Sequence, residues 1–170
     1  MNVDQPWQDD QDYLVLIADL LATPQVQKLA LYTQHHYTDR LQHSLRVSYY
    51  SYLITKKQHL DYRATARAGL LHDLFYYDWR TTKFSSGTHA YIHPRIALRN
   101  AERLTDLSPK EKDIIIKHMF GATMAFPKYR ESWIVSLVDD YVAVKEVSVP
   151  WQGVLRHRIG KSFSFIKNSH

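Results

Sequence analysis

The chain has 170 residues, 45% of them hydrophobic and 23% charged, which suits one soluble-type domain with its own core and is too short for two. No apolar run approaches the roughly 20 residues of a membrane-spanning helix, and the absence of cysteine excludes disulfides and thiolate metal ligands. A net charge of +5 favours anionic partners in general. The basic residues are dispersed except for Arg156, Arg158, Lys161 and Lys167, so nucleic-acid binding is not expected.

The start, MNVDQPWQDDQDY, is acidic and polar, unlike a secretion signal, and the expected compartment is the cytoplasm. Five glycines and six prolines suit long regular elements rather than many tight turns. Residues 12–22 carry a helical pattern, and Thr23-Pro24 supplies a cap and a first residue for the next helix. A third helix is expected over 39–57, where His43, Val47, Tyr50 and Ile54 recur at helical spacing. A fourth is expected over 61–77, followed by a long polar connection from Trp79 to Ile92. Pro94 is expected to open a helix reaching about Leu104. Ser108-Pro109-Lys110-Glu111 reads as a capping box, with that helix ending near Gly121. A last helix is expected over 130–147, closed by Pro150.

The ten histidines matter through their placement. His72 and Asp73 follow the apolar Gly69-Leu70-Leu71, and a buried aspartate needs a partner charge or a cation. His43 lies on the stripe of Val47, Tyr50 and Ile54. His118 follows Ile114 and Ile115 at helical spacing. Asp139 and Asp140 interrupt the apolar run WIVSLVDDYVAV. Any one of these histidines alone is more often a hydrogen-bonded core residue than a ligand. The ordered set is harder to explain that way, because several apolar helix faces each bring one imidazole or carboxylate.

The order His43, then His72-Asp73, then an aspartate in a VDD segment resembles the HD superfamily of metal-dependent phosphohydrolases. The phrases GLLHDLFYYDW, HPRIALRNAERL, EKDIIIKHM and SWIVSLVDDYVAVKE are similar to its small bacterial members. The resemblance implies an all-α, single-domain helical bundle around a metal site, with a core over 39–146. Residues 1–38 would then be an N-terminal helical segment packed on it, and 147–170 a C-terminal basic extension. It also implies a ligand set: His43, His72, Asp73 and Asp139, with His93 and His118 completing a second metal position. The closing aspartate falls on Asp139 when VDD is aligned with the family's commoner VDK; a shift of one residue moves it to Asp140.

Imidazole and carboxylate ligands suit divalent Mn, Fe, Co, Ni or Zn, as one or two ions. In the two-ion arrangement Asp73 bridges the metals, and an activated hydroxide attacks phosphorus in line. The expected partner is a small phosphorylated substrate, a phosphomonoester or phosphodiester of nucleotide-like form. Candidate substrate-binding cations are Arg46, Arg80, Lys83 and Lys117. His89, four residues before His93, is a candidate to bind or protonate the leaving group. Tyr50, Tyr76, Tyr77, Trp79 and Phe84 offer aromatic faces near the expected site. Two other functions fit the resemblance: a di-iron oxygenase on the same ligands, or a module that binds a nucleotide without turning it over.

Overall fold

The computed structural model describes residues 5–35 and 38–167, with side chains except those of His35 and residues 149–167. A 3₁₀ turn, Pro6–Asp9, leads into α1 (Gln11–Leu21), which the Asp10 side chain caps. Thr23 caps the short α2 (Pro24–Gln27), as Thr23-Pro24 suggested. A second 3₁₀ turn, Lys28–Leu31, precedes β1 (Thr33–His35), which pairs antiparallel with β2 (Thr38–Asp39). This small hairpin is an addition to the expected helical N-terminal segment. Five further helices follow: α3 (Arg40–Lys57), α4 (Tyr62–Leu71), α5 (His89–Leu104), α6 (Pro109–Lys117) and α7 (Arg130–Lys167). The fold is all-α, and no single helix among the described residues is long and apolar enough to cross a membrane.

Helix α3 lies at the centre, packed on α4 and α7, while α6 joins α4, α5 and α7. His43 and Val47 are buried as their stripe implied, but Ile54 is 37% exposed. Beside the buried Leu41, Leu45, Val47, Tyr49 and Tyr52, α3 also buries a row of small side chains, Ser44, Ser48, Ser51 and Thr55, and α4 comes close at Ser48. Gly69 of α4 meets Ser48 so tightly that a Cβ placed there would lie 2.9 Å from the Ser48 Cα. Ser48 also receives a hydrogen bond from the buried Tyr13 hydroxyl of α1 and donates to the Ala66 carbonyl, tying three helices together.

Four boundaries differ from the sequence reading. Helix α4 stops at Leu71, not near residue 77, so His72 and Asp73 sit at and beyond its C-terminus and not on a helical surface. Beyond that stop the buried Arg40 holds the chain in its non-helical course: its guanidinium donates to the carbonyls of Phe75 and Tyr77 and lies 3.6 Å over the Phe75 ring. Helix α5 begins at His89, with Thr88 as N-cap residue, and Pro94 lies inside it. Pro94 is the sixth residue of this helix, so it forgoes one interior hydrogen bond, to the Ala90 carbonyl, without ending the helix. Helix α6 ends at Lys117, and Gly121 takes its positive φ of 101° in the turn beyond. Helix α7 runs through Pro150 to Lys167. The basic residues of the tail, Arg156, Arg158, Lys161 and Lys167, lie outside the described side chains.

Candidate metal centre

Chain ends of helices build the site. His72 and His118 are the residues immediately after α4 and α6. Helix C-termini leave carbonyls without intrahelical partners, and each imidazole meets one of them. His72 Nδ1 lies 2.7 Å from the Gly69 carbonyl, and His118 Nδ1 2.8 Å from the Ile115 carbonyl. His93, one turn into α5, sets Nδ1 2.9 Å from the His89 carbonyl. His43, on the first turn of α3, sets Nδ1 3.0 Å from Glu146 Oε2. All four partners are oxygens that only accept, so each Nδ1 carries the proton. That leaves Nε2 of each ring as the atom available to bind a cation, for His43 once its Nε2 proton toward Asp139 is given up.

Those four Nε2 atoms converge on two buried carboxylates. His43 Nε2 lies 2.9 Å and His72 Nε2 3.6 Å from Asp139 Oδ1. His93 Nε2 and His118 Nε2 lie 3.3 and 3.6 Å from Asp73 Oδ1, and His72 Nε2 is 3.8 Å from Asp73 Oδ2. Two ligands bonded at about 2.0–2.1 Å to one ion are separated by roughly 3–3.5 Å. The groups His43–His72–Asp73, His72–His118–Asp139 and Asp73–His93–His118 each place one ligand atom per residue within 4.8 Å of the others.

Two observations test whether a cation fits. His72 Nε2 and Asp73 Oδ1, both buried, have no hydrogen-bond partner, although buried polar atoms nearly always find one. His93 Nε2 and His118 Nε2 face each other at 2.7 Å, where two lone pairs repel unless a positive centre lies between them. Divalent cation binding would give these atoms their partners: His72 Nε2 and Asp73 in one group with His43, and Asp73, His93 and His118 in another. These residues fit a metal.

The electrostatics agree. Burial opposes the charge of Asp73, yet His72, His93 and His118 hold its carboxyl well below the usual range. Asp139 is lowered in the same way by His72 and His43 against its own burial. Burial also opposes a charge on His43, but its hydrogen bonds to Asp139 and Glu146 override that and lift it to about 10. His118, pushed by burial and by its neighbours His93 and His72, falls to about 3. Asp140 is exposed, and burial of its base together with the Asp139 charge raises it. The choice between adjacent aspartates is thus geometric: Asp139 reaches the imidazoles, and Asp140 stands at the cavity.

A family model for the HD domain matches residues 40–144. The chain belongs to the HD-domain family. That match spans every residue of the cluster, from His43 to Asp139, and the family includes metal-dependent phosphohydrolases. No curated protein and no solved structure matches the chain. In this HD domain the cluster opens into a cavity of about 190 Å³, lined by His43, Asp73, His93 and Asp139 and also by Gln34, Trp79, His89, Met119, Asp140 and Ala143.

His89 lines the cavity, stacked between Trp79 and the His93 ring, with centroids 5.7 and 4.3 Å away. Burial and His93 hold it down to about 4, and the Tyr77 hydroxyl lies 3.2 Å from its Nδ1. The four expected substrate cations are not brought to the cavity. Arg46 is committed to Glu146 at 2.7 Å, Arg80 pairs with Asp78 of its own exposed turn, Lys83 is exposed, and Lys117 is not among the lining residues. Of the aromatics, Trp79 lines this cavity, and Tyr77 and Phe84 pack edge to face behind it.

Sequence reasoning missed Gln34, Arg40 and Glu146. Gln34 donates to Asp73 Oδ2 at 2.7 Å and accepts from Arg40 Nε at 2.8 Å, which leaves Asp73 Oδ1 for the cluster. Nothing in the sequence announces a glutamine on a two-stranded hairpin. Glu146 did carry a signal: it follows Asp139 by seven residues, two turns along one face of α7.

Proposed function

We propose that this HD domain is a phosphohydrolase that cleaves a phosphomonoester or phosphodiester of a small, nucleotide-like substrate at the His/Asp cluster. The observation that carries the reading is the convergence of four Nε2 atoms on Asp73 and Asp139, with buried His72 Nε2 and Asp73 Oδ1 otherwise unpartnered. His43, His72, Asp73 and Asp139 would hold one ion, and Asp73, His93 and His118 a second. A divalent Mn, Fe, Co, Ni or Zn ion supplies Lewis acidity toward a phosphoryl oxygen and lowers the pKa of water toward 7.

The chain's own groups do the rest. The Asp73 carboxylate stays ionised and turns Oδ1 to the cluster because Gln34 occupies Oδ2. His89 is neutral at pH 7, so it serves by donating a hydrogen bond to the leaving oxygen, not as a strong acid. When the Tyr77 hydroxyl donates to its Nδ1, its Nε2 bears the proton to be offered. Trp79 presents an apolar ring to the cavity, which suits a planar substrate group. The pocket's volume of about 190 Å³ suits a phosphoryl group and a small portion of what it is attached to.

The test is phosphate release from p-nitrophenyl phosphate and a panel of nucleoside phosphates, with each metal added in turn to chelator-treated protein. Turnover is expected with at least one transition metal and none without it. His89→Ala is expected to lower turnover about 10- to 100-fold with metal retained. Turnover that persists in excess chelator, or equal turnover in the His89 variant, contradicts the respective assignment.

A further inference from the structure

We infer that Glu146 is a positioning residue for the metal site, acting through His43, and that Arg46 serves it and not the substrate. This rests on the metal reading above. Helix α7 meets His43 at both ring nitrogens: Asp139 Oδ1 lies 2.9 Å from Nε2, and Glu146 Oε2 lies 3.0 Å from Nδ1. The two carboxylates are seven residues apart, so they share one face of α7 and grip the ring between them.

The grip is built in buried surroundings. The His43 side chain is 1% exposed and that of Glu146 5%. A buried carboxylate is costly without a counter-charge, and Arg46 supplies it through NH1 at 2.7 Å from the other oxygen, Oε1. Arg46 lies one turn after His43 on α3, so one helix provides both partners of Glu146. Its same NH1 reaches Thr38 of β2 at 3.5 Å, which anchors the guanidinium from the far side.

The chemical consequence follows from the direction of the bond. A carboxylate can only accept, so Glu146 fixes the proton on Nδ1 and leaves Nε2 to bind. It also fixes the ring plane and makes the imidazole a stronger donor to a cation. The other three cluster histidines use backbone carbonyls for this task; His43 alone among them uses a side chain that mutation can remove.

The experiment measures Co²⁺ affinity of the full chain by competition with a chromophoric chelator, alongside metal-free thermal unfolding. Glu146→Ala is expected to weaken Co²⁺ binding about 10- to 100-fold. Glu146→Gln keeps an acceptor for Nδ1 and should recover most of that loss, remaining about 3- to 10-fold weaker than the natural chain because its neutral amide leaves Arg46 unbalanced. A purely structural role would instead lower the unfolding temperature of both variants and leave Co²⁺ affinity alike. Affinity within twofold of the natural chain in folded Glu146→Ala overturns the inference. If that variant does not fold, Glu146→Gln decides by the same twofold limit. Asp73→Ala separates the two readings: if it binds Co²⁺ like the natural chain, or the natural chain binds none, the metal site itself is refuted. If Asp73→Ala loses binding while the Glu146 variants keep it, only the role of Glu146 fails.

Discussion

Four imidazoles at this site share one device, an oxygen acceptor on Nδ1 that turns Nε2 inward. The same contacts shape how the metal-free protein responds to pH. His43 sits near 10 when folded against about 6.5 when unfolded, so its stabilisation is complete below about pH 6.5 and is lost as pH rises through 10. His118 and His89, held to about 3 and about 4, act in the other direction. The unfolded chain takes up protons that they refuse, so stability falls as pH drops below about 6.5. Chelator-treated protein is therefore expected to have its highest urea midpoint near neutrality, declining from pH 7 to 9.5, with the alkaline decline reduced in His43→Gln. A midpoint that rises across that range in the natural chain would refute the bridged imidazolium. At this scale the sequence was informative wherever a polar residue interrupted an apolar face: His43, His72, Asp73, His118 and Asp139 all stand in the cluster. It was uninformative for cations, because nothing in Arg46, Arg80, Lys83 or Lys117 distinguishes a substrate contact from a local ion pair.

Helix ends carry the chemistry here more than helix faces do. His72 and His118 occupy C-terminal positions where unpaired carbonyls orient them, and Asp73 is reached only because α4 stops at Leu71. That stop was hidden from the sequence. GLLHDLFYY has no glycine or proline after Gly69 to end a helix, and the non-helical segment beyond Leu71 is held by a guanidinium from α3 taking two carbonyls. Caps written into the sequence, at Thr23 and at the Ser108–Glu111 box, were legible because their chemistry is local. Prolines misled at both Pro94 and Pro150, since one absent N–H bends or weakens a helix without always ending it. The approach of α4 to α3 sets where the His72-Asp73 turn lies relative to His43, and Gly69 permits that approach. Gly69→Ala would force a Cβ against the Ser48 backbone, which cannot give way as a flexible side chain could. The expected cost is about 1–3 kcal/mol of stability, read as a lower urea midpoint, with weaker metal binding as the helices part. An unchanged midpoint would mean that the α3–α4 spacing is not set there.

Across the whole molecule, six side chains spread from His43 to Asp139 are drawn from five helices and the turns that end them into one buried cluster. The all-α class was readable from the scarcity of glycine and proline and from helical spacing. The β1–β2 hairpin was not, since five residues carry too little pattern, yet it delivers Gln34 to Asp73. The family match over residues 40–144 fits this division: the residues of the cluster lie within it, and the hairpin lies before it. Most direct among measurements is the metal content of the purified chain, by elemental analysis after loading with a transition metal and removal of excess. Convergence of these side chains on a cation predicts about one to two ions per chain in the natural protein and near zero in Asp73→Ala. Retention of no metal by the natural chain, or equal retention by folded Asp73→Ala, would contradict it.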